Sequence, residues 1–253
     1  MNFILSYIVF PFINWGQLIF CLVIIFIVAN KRFASMSTSY SSSFFGYFSK
    51  FLNLLKNKTN GISYKSLILS VLGFKAIYAL VETVSQYYVW SGNALTKSFL
   101  NQNIVDLNVI KDFPASMAWI FDNRLGYFLF YSWGRFWFEI VISLVAGLVF
   151  YLFLIFLKKH KERFFEEGEV EMGFILSLLV GWSNFTIFLP LVFLSVILVS
   201  ITKLFLFFIG RGSVSGVKEI YTTLGAPLLL AALIVLFFGN YLVSLFGLMP
   251  LRI

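Results

Sequence analysis

Four charged side chains lie within or beside long apolar segments of this sequence, namely Lys75, Glu82, Arg135 and Glu139. A charge at the centre of a membrane helix costs about 2.5 to 3.5 kcal/mol on insertion scales, so each needs a reason to be there. Lys75 and Glu82 are seven residues apart and share one face of a helix. That face predicts either an ion- or proton-linked site or a polar interface that holds helices together, and the sequence favours the interface.

Arg135 and Glu139 are four residues apart, so they can pair along one helix face. Both lie near the end of their apolar segment, where long side chains reach the headgroup region. The spacing therefore favours a salt bridge at the membrane interface over a substrate site.

A third group of charged residues lies in the segment 158–171, which runs from Lys158 and its basic neighbours through His160 to four glutamates. Clustered carboxylates beside a histidine could bind a divalent ion or act as acid and base. The segment favours a solvated helix with internal ion pairs. His160 and Cys21 are the only histidine and cysteine, which excludes an intramolecular disulfide and multi-histidine metal centres. We expect no enzyme activity, no metal and no cofactor.

The elements that position these residues follow from composition. The chain has 253 residues, of which 60% are hydrophobic and 12% charged, against about 25% charged in soluble domains. This balance excludes a soluble fold and predicts an all-α, polytopic transmembrane helical bundle.

Six apolar runs are predicted to span the membrane, since each can cover a core of about 30 Å. They are residues 3–30, 67–90, 127–157, 173–189, 191–209 and 224–248. The fourth and fifth runs are separated at Pro190, which removes a backbone donor and disfavours helix before it. One kinked, steeply tilted helix is the alternative for this stretch. The predicted domains are an N-terminal anchor (1–30), a cytoplasmic linker with an amphipathic helix (31–65) and a five-span membrane domain (66–253).

The basic residues indicate orientation. Twelve of the nineteen Lys and Arg residues fall in three loops on one side, and four fall on the other. The positive-inside rule therefore places both termini outside and the three basic loops in the cytoplasm. The formal charge of +8 indicates contact with anionic lipid headgroups rather than with nucleic acid. We expect a prokaryotic inner (plasma) membrane as the location.

Residues 44–56 are predicted to form an amphipathic helix in the inner interface, because apolar residues recur there at helical spacing. Its lysines Lys50 and Lys56, with nearby Lys58, would contact anionic headgroups. The alternative is a docking helix for a partner protein. The loop 91–126 is predicted to cover the outer surface, and four tryptophans are predicted to anchor at the outer headgroups: Trp90, Trp119, Trp133 and Trp137.

The closing part of the chain resembles a known family. The segments IGRGS at 209–213, GVK at 216–218 and LGAPLLL at 224–230 are similar to the end of the YIP family. These are five-span membrane proteins named for interaction with Rab-type GTPases. The resemblance implies a non-enzymatic, bilayer-embedded scaffold or adaptor. This chain departs from the family by an added span before the cytoplasmic segment.

Together these patterns predict a non-catalytic integral membrane scaffold or accessory subunit that packs with other membrane proteins or shapes lipid. The alternative is a subunit of a transporter, channel or proton path that uses the four charges within the spans, Lys75, Glu82, Arg135 and Glu139.

Overall fold

A computed structural model describes residues 15–36, 63–101, 124–160, 165–208 and 223–248. Within these ranges the chain is helical and contains no strand, which confirms the all-α class. Four helices are long and apolar enough to cross a bilayer, as expected of an integral membrane protein. They are Tyr64–Gly92, Gly126–His160, Trp182–Thr202 and Gly225–Leu245.

The helices follow one another in a simple order. The first part of the chain forms α1 (Gln17–Met36), α2 (Tyr64–Gly92), the short α3 (Ala94–Lys97) and a 3₁₀ turn (Phe99–Asn101). Next come α4 (Gly126–Ser132), a π-helical segment (Trp133–Trp137) and α5 (Phe138–His160), which together form one continuous helix. The last part forms α6 (Glu169–Val180), α7 (Trp182–Phe208) and α8 (Gly225–Leu245).

The described residues form two compact units. The first unit contains residues 73–101 and 124–142 with 15–17, and the second contains 18–36, 63–72, 143–160, 165–208 and 223–248. The first unit has a small aromatic core in which Trp90 packs edge-on against Phe128, with ring centroids 5.5 Å apart, and lies 5.0 Å from Tyr131. Trp90 is only 8% exposed, so it is a core residue of this unit, and its predicted position at the outer headgroups stays a prediction.

The second unit is built around α6, in which every residue except Glu171 is buried. The hydrophobic core also takes side chains from α1, α2, α5, α7 and α8. From α1 these are Cys21, Ile24, Ile25 and Val28. The N-terminal helix therefore packs into the same core as the later helices.

The predicted boundary at Pro190 is wrong. Pro190 lies inside α7, and the chain instead breaks at Gly181, which has a φ of +80°. A glycine adopts this conformation without the steric cost other residues incur. A proline inside a membrane helix removes one hydrogen bond, whereas a turn there would leave several backbone groups unpaired in an apolar medium. With only 12 residues, α6 extends about 18 Å and is too short to cross the bilayer alone.

Several predictions fall outside the described residues. These are the amphipathic helix at 44–56, the lipid contacts of Lys50, Lys56 and Lys58, the anchor Trp119, and most of the loop 91–126. The count of six spans stays a prediction, since four of the described helices meet the length and hydropathy of a span.

Candidate functional site

The second unit contains a buried ion pair that joins three separate parts of the chain. Arg32, near the end of α1, places Nη2 3.0 Å from Oε1 of Glu169, the first residue of α6. The same nitrogen donates a 2.6 Å hydrogen bond to Oγ1 of Thr223, just before α8. We call Arg32, Glu166, Glu169, Thr223 and Gly225 the Arg32 cluster.

The Glu169 carboxylate is fully engaged within the protein. Its Oε1 accepts the backbone N–H of Gly225 at 2.7 Å, and its Oε2 accepts the N–H of Glu166 at 3.2 Å. The Gly225 N–H belongs to the first turn of α8, where backbone donors have no partner within the helix. Glu169 therefore caps α8 from another part of the chain and places a negative charge at its positive end.

Both members of the ion pair are almost completely shielded from solvent, with side-chain exposures of 6% for Arg32 and 2% for Glu169. Burial raises the pKa of the Glu169 carboxyl, and the Arg32 guanidinium and the two N–H donors oppose that increase. Both carboxylate oxygens thus accept from donors within the protein, and the side chain is closed to solvent.

Two glycines allow this close packing. A Cβ at Gly225 would collide with the Arg32 guanidinium, so a larger residue would force that side chain away from its position. Gly168 has a φ of +83°, and a Cβ there would lie 2.5 Å from the ring of Tyr64. Nζ of Lys31 lies 4.0 Å from the centroid of that same ring, which is a cation–π distance.

The solvated helix predicted for residues 158–171 is therefore wrong at its acidic end. Gly168 has a left-handed backbone conformation directly before α6, and Glu169 is buried. Sequence reasoning assigned Arg32 only to a positive loop and missed its pairing with Glu169. Gly168 and Glu169 directly precede an apolar run, which is a sequence signal for the start of a helix. No pattern in the sequence identifies Arg32 as the partner of Glu169.

The first unit contains a second polar group, which we call the Glu82 cluster: Tyr78, Glu82, Arg135 and Glu139. The Tyr78 hydroxyl and the Glu82 carboxyl form a hydrogen bond within α2, and the charges of Arg135 and Glu139 act on Glu82. The structure thus brings together three of the four residues singled out from the sequence. Lys75 is half-buried and lies about one turn before Tyr78 on the same helix.

The depth of the Glu82 cluster follows from the basic ends of its two helices. Glu82 is about 26 Å along α2 from Lys65, and Glu139 is about 29 Å along α5 from Lys158, at 1.5 Å per residue. A hydrocarbon core of about 30 Å that starts at those lysines would end near both carboxyls.

The π-helical segment Trp133–Trp137 lies at this level and carries Arg135. Trp137 Nε1 donates a 3.2 Å hydrogen bond to Thr83 Oγ1, and Thr83 Oγ1 donates to the Ala79 carbonyl at 2.7 Å. These bonds hold the segment against α2 beside Glu82. Single π turns occur often at functional sites in other proteins. Arg135 is exposed, whereas Glu82 and Glu139 are half-buried.

The break between α6 and α7 resembles the interrupted helices that line ion sites in transporters. Here, however, its carbonyls are engaged within the protein. Asn184 Nδ2 donates to the Val180 carbonyl at 3.4 Å, Cys21 Sγ lies 4.0 Å from the Leu179 carbonyl, and the Gly181 N–H donates to Ser177. The break therefore serves packing.

Among the described residues, no group of three or more His, Cys, Asp or Glu side chains could hold a metal ion. The ring of His160 contacts the helix that carries it, with Nδ1 3.1 Å from the Phe156 carbonyl oxygen. Comparison of the chain with protein-family models, curated proteins and solved structures gave no match.

Proposed function

We propose that this chain is a non-catalytic integral membrane scaffold or accessory subunit that packs against other membrane proteins. The observation that carries the proposal is that the charged residues are paired within one unit, whereas the other unit leaves a charged residue exposed. The Arg32 cluster satisfies its charges internally, whereas the Glu82 cluster leaves Arg135 exposed on a helix long enough to span a membrane. A guanidinium at the edge of the hydrocarbon gains most when a partner supplies acceptors for its planar donors.

The same proposal includes the membrane location and the binding partners predicted from the sequence. The chain is a multi-pass protein of a prokaryotic inner membrane, and its basic loops contact anionic lipid headgroups. It binds neither nucleic acid nor a cofactor. The resemblance of its closing segment to the YIP family agrees with a scaffold or adaptor, because that family is non-enzymatic.

The test is affinity purification from native membranes in a mild detergent. We expect a membrane protein to co-purify with the wild-type chain and to be lost with Arg135→Gln. The matched control is Arg124→Gln, which removes an exposed arginine of the same unit outside the Glu82 cluster. A monodisperse monomer from the wild-type chain, or equal loss with both variants, would contradict the proposal.

A second candidate function is a subunit of a proton or ion path. The observation that favours it is that two helices bring the carboxyls of Glu82 and Glu139 together beside the Tyr78 hydroxyl. Carboxyls in such groups exchange protons or bind cations in transport proteins. In vesicles that contain the purified protein, this function requires a proton or cation flux that Glu82→Gln abolishes. Unchanged flux with intact assembly would remove it.

A further inference from the structure

The Arg32 cluster joins segments that are far apart in sequence, and α1 contributes one side chain to it. Arg32 is the only residue of α1 within the cluster, and it contacts both α6 and the residue that precedes α8. The apolar residues of α1 also pack into the core of the second unit. Apolar packing alone gives little preference for protein over lipid, because lipid tails are as apolar as a helix surface.

Directional polar bonds therefore have to fix the position of α1. A buried arginine without its partner is costly, and the geometry here provides one place where Arg32 and Glu169 are paired. The Glu169 oxygens are also held by the N–H groups of Gly225 and Glu166. The site for Arg32 thus exists only when the first turns of α6 and α8 are already in position.

We propose that Arg32 and Glu169 form a latch that holds α1 in the bundle only after α6 and α8 have assembled. Docking of the N-terminal helix is thereby coupled to the arrangement of α6 and α8. The inference goes beyond the proposed function, since it concerns the order and permanence of assembly within the chain and would hold whatever partner the protein has.

The experiment uses the full chain with a specific protease site inserted in the serine-rich stretch 37–43, between α1 and α2. The protein is purified in a mild detergent through a C-terminal tag and then cleaved. The rate at which the N-terminal fragment dissociates is followed by an N-terminal epitope. In the otherwise wild-type chain we expect the fragment to stay bound.

Arg32→Gln and Glu169→Gln should each speed dissociation by about tenfold or more, the effect of losing a hydrogen bond to a charged group. The matched control is Lys31→Gln, which removes the neighbouring charge that lies over Tyr64 and should change the rate by about fivefold at most. If the two substitutions acted independently, their effects on the dissociation rate would multiply. The double variant Arg32→Gln/Glu169→Gln should dissociate far more slowly than that product predicts, because no unpaired buried charge remains.

Equal rates for Arg32→Gln and Lys31→Gln would overturn the latch, as would effects of Arg32→Gln and Glu169→Gln that simply multiply. If the single variants do not accumulate in the membrane, accumulation of the double variant supports the ion pair, and its failure to accumulate overturns it. Loss of the partner with Arg135→Gln is measured separately, so the latch and the proposed function can fail independently.

Discussion

Replacing Arg32 by methionine should destabilise the protein strongly, and the size of the effect follows from burial. The change leaves the Glu169 carboxylate, which is 2% exposed, without its counter-charge. Removing one partner of a buried ion pair costs about 3 to 5 kcal/mol. The backbone donors of Gly225 and Glu166 remain, so we expect the lower end of that range. The equilibrium constant for unfolding should therefore rise about 100-fold.

The assay is reversible unfolding in mixed micelles with increasing sodium dodecyl sulfate at pH 7, followed by tryptophan fluorescence. The control is Lys31→Met, which removes a half-buried charge next in sequence. That variant loses a cation–π contact worth about 0.5 to 1 kcal/mol. A loss for Arg32→Met no larger than that for Lys31→Met would refute the reasoning.

The stability of the Arg32→Met variant should also depend on pH, and the direction of that dependence can be worked out. Burial already raises the pKa of Glu169 in the folded protein, and without Arg32 this increase is opposed only by the N–H donors. The folded state then binds a proton more readily than the unfolded state, so its stability falls as pH rises through the folded pKa. We expect the stability deficit of Arg32→Met, relative to wild type, to be smaller at pH 5 than at pH 8. An equal deficit at both pH values would show that the lost charge is not what matters.

Three further substitutions test other parts of the structure. Gly168→Ala should cost about 1 to 3 kcal/mol in the same unfolding assay, because a side chain is strained at a φ of +83° and would meet the Tyr64 ring; a neutral result would contradict the left-handed conformation. Leu176→Ala should cost about 2 to 5 kcal/mol, since Leu176 is completely buried in α6; a loss below 1 kcal/mol would mean that α6 is not central. Thr83→Val should shift the tryptophan fluorescence by removing the acceptor of Trp137, with a stability loss of about 0.5 to 1.5 kcal/mol; an unchanged spectrum would argue against this hydrogen bond.

Composition and periodicity predicted the fold class because the bilayer imposes simple rules on a chain. In the bilayer, a chain with 60% hydrophobic residues has to pair its backbone N–H and C=O groups with one another, and helices do this within each segment. Four of the described helices have the length and hydropathy of spans. Charges seven or four residues apart on a helix also have predictable faces. For this reason Glu82, Arg135 and Glu139 could be singled out before the structure was known.

The remaining features depend on contacts that sequence patterns do not contain. The local rule for proline placed a turn at Pro190, but the surrounding helix tolerates it, and the chain turns at Gly181 instead. The partner of Arg32 could not be predicted, because tertiary packing alone brings Glu169 beside it. A glutamate that seemed solvated among other charges is the most buried charged residue described in the protein.

The most direct test of the central claim is the mass of the native particle released from its own membrane in lipid nanodiscs. A scaffold or accessory subunit predicts a particle heavier than the 29.0 kDa chain and its lipids, with a stoichiometric partner that Arg135→Gln removes and Arg124→Gln keeps. A particle that contains a single copy of this chain and no other protein would contradict the account.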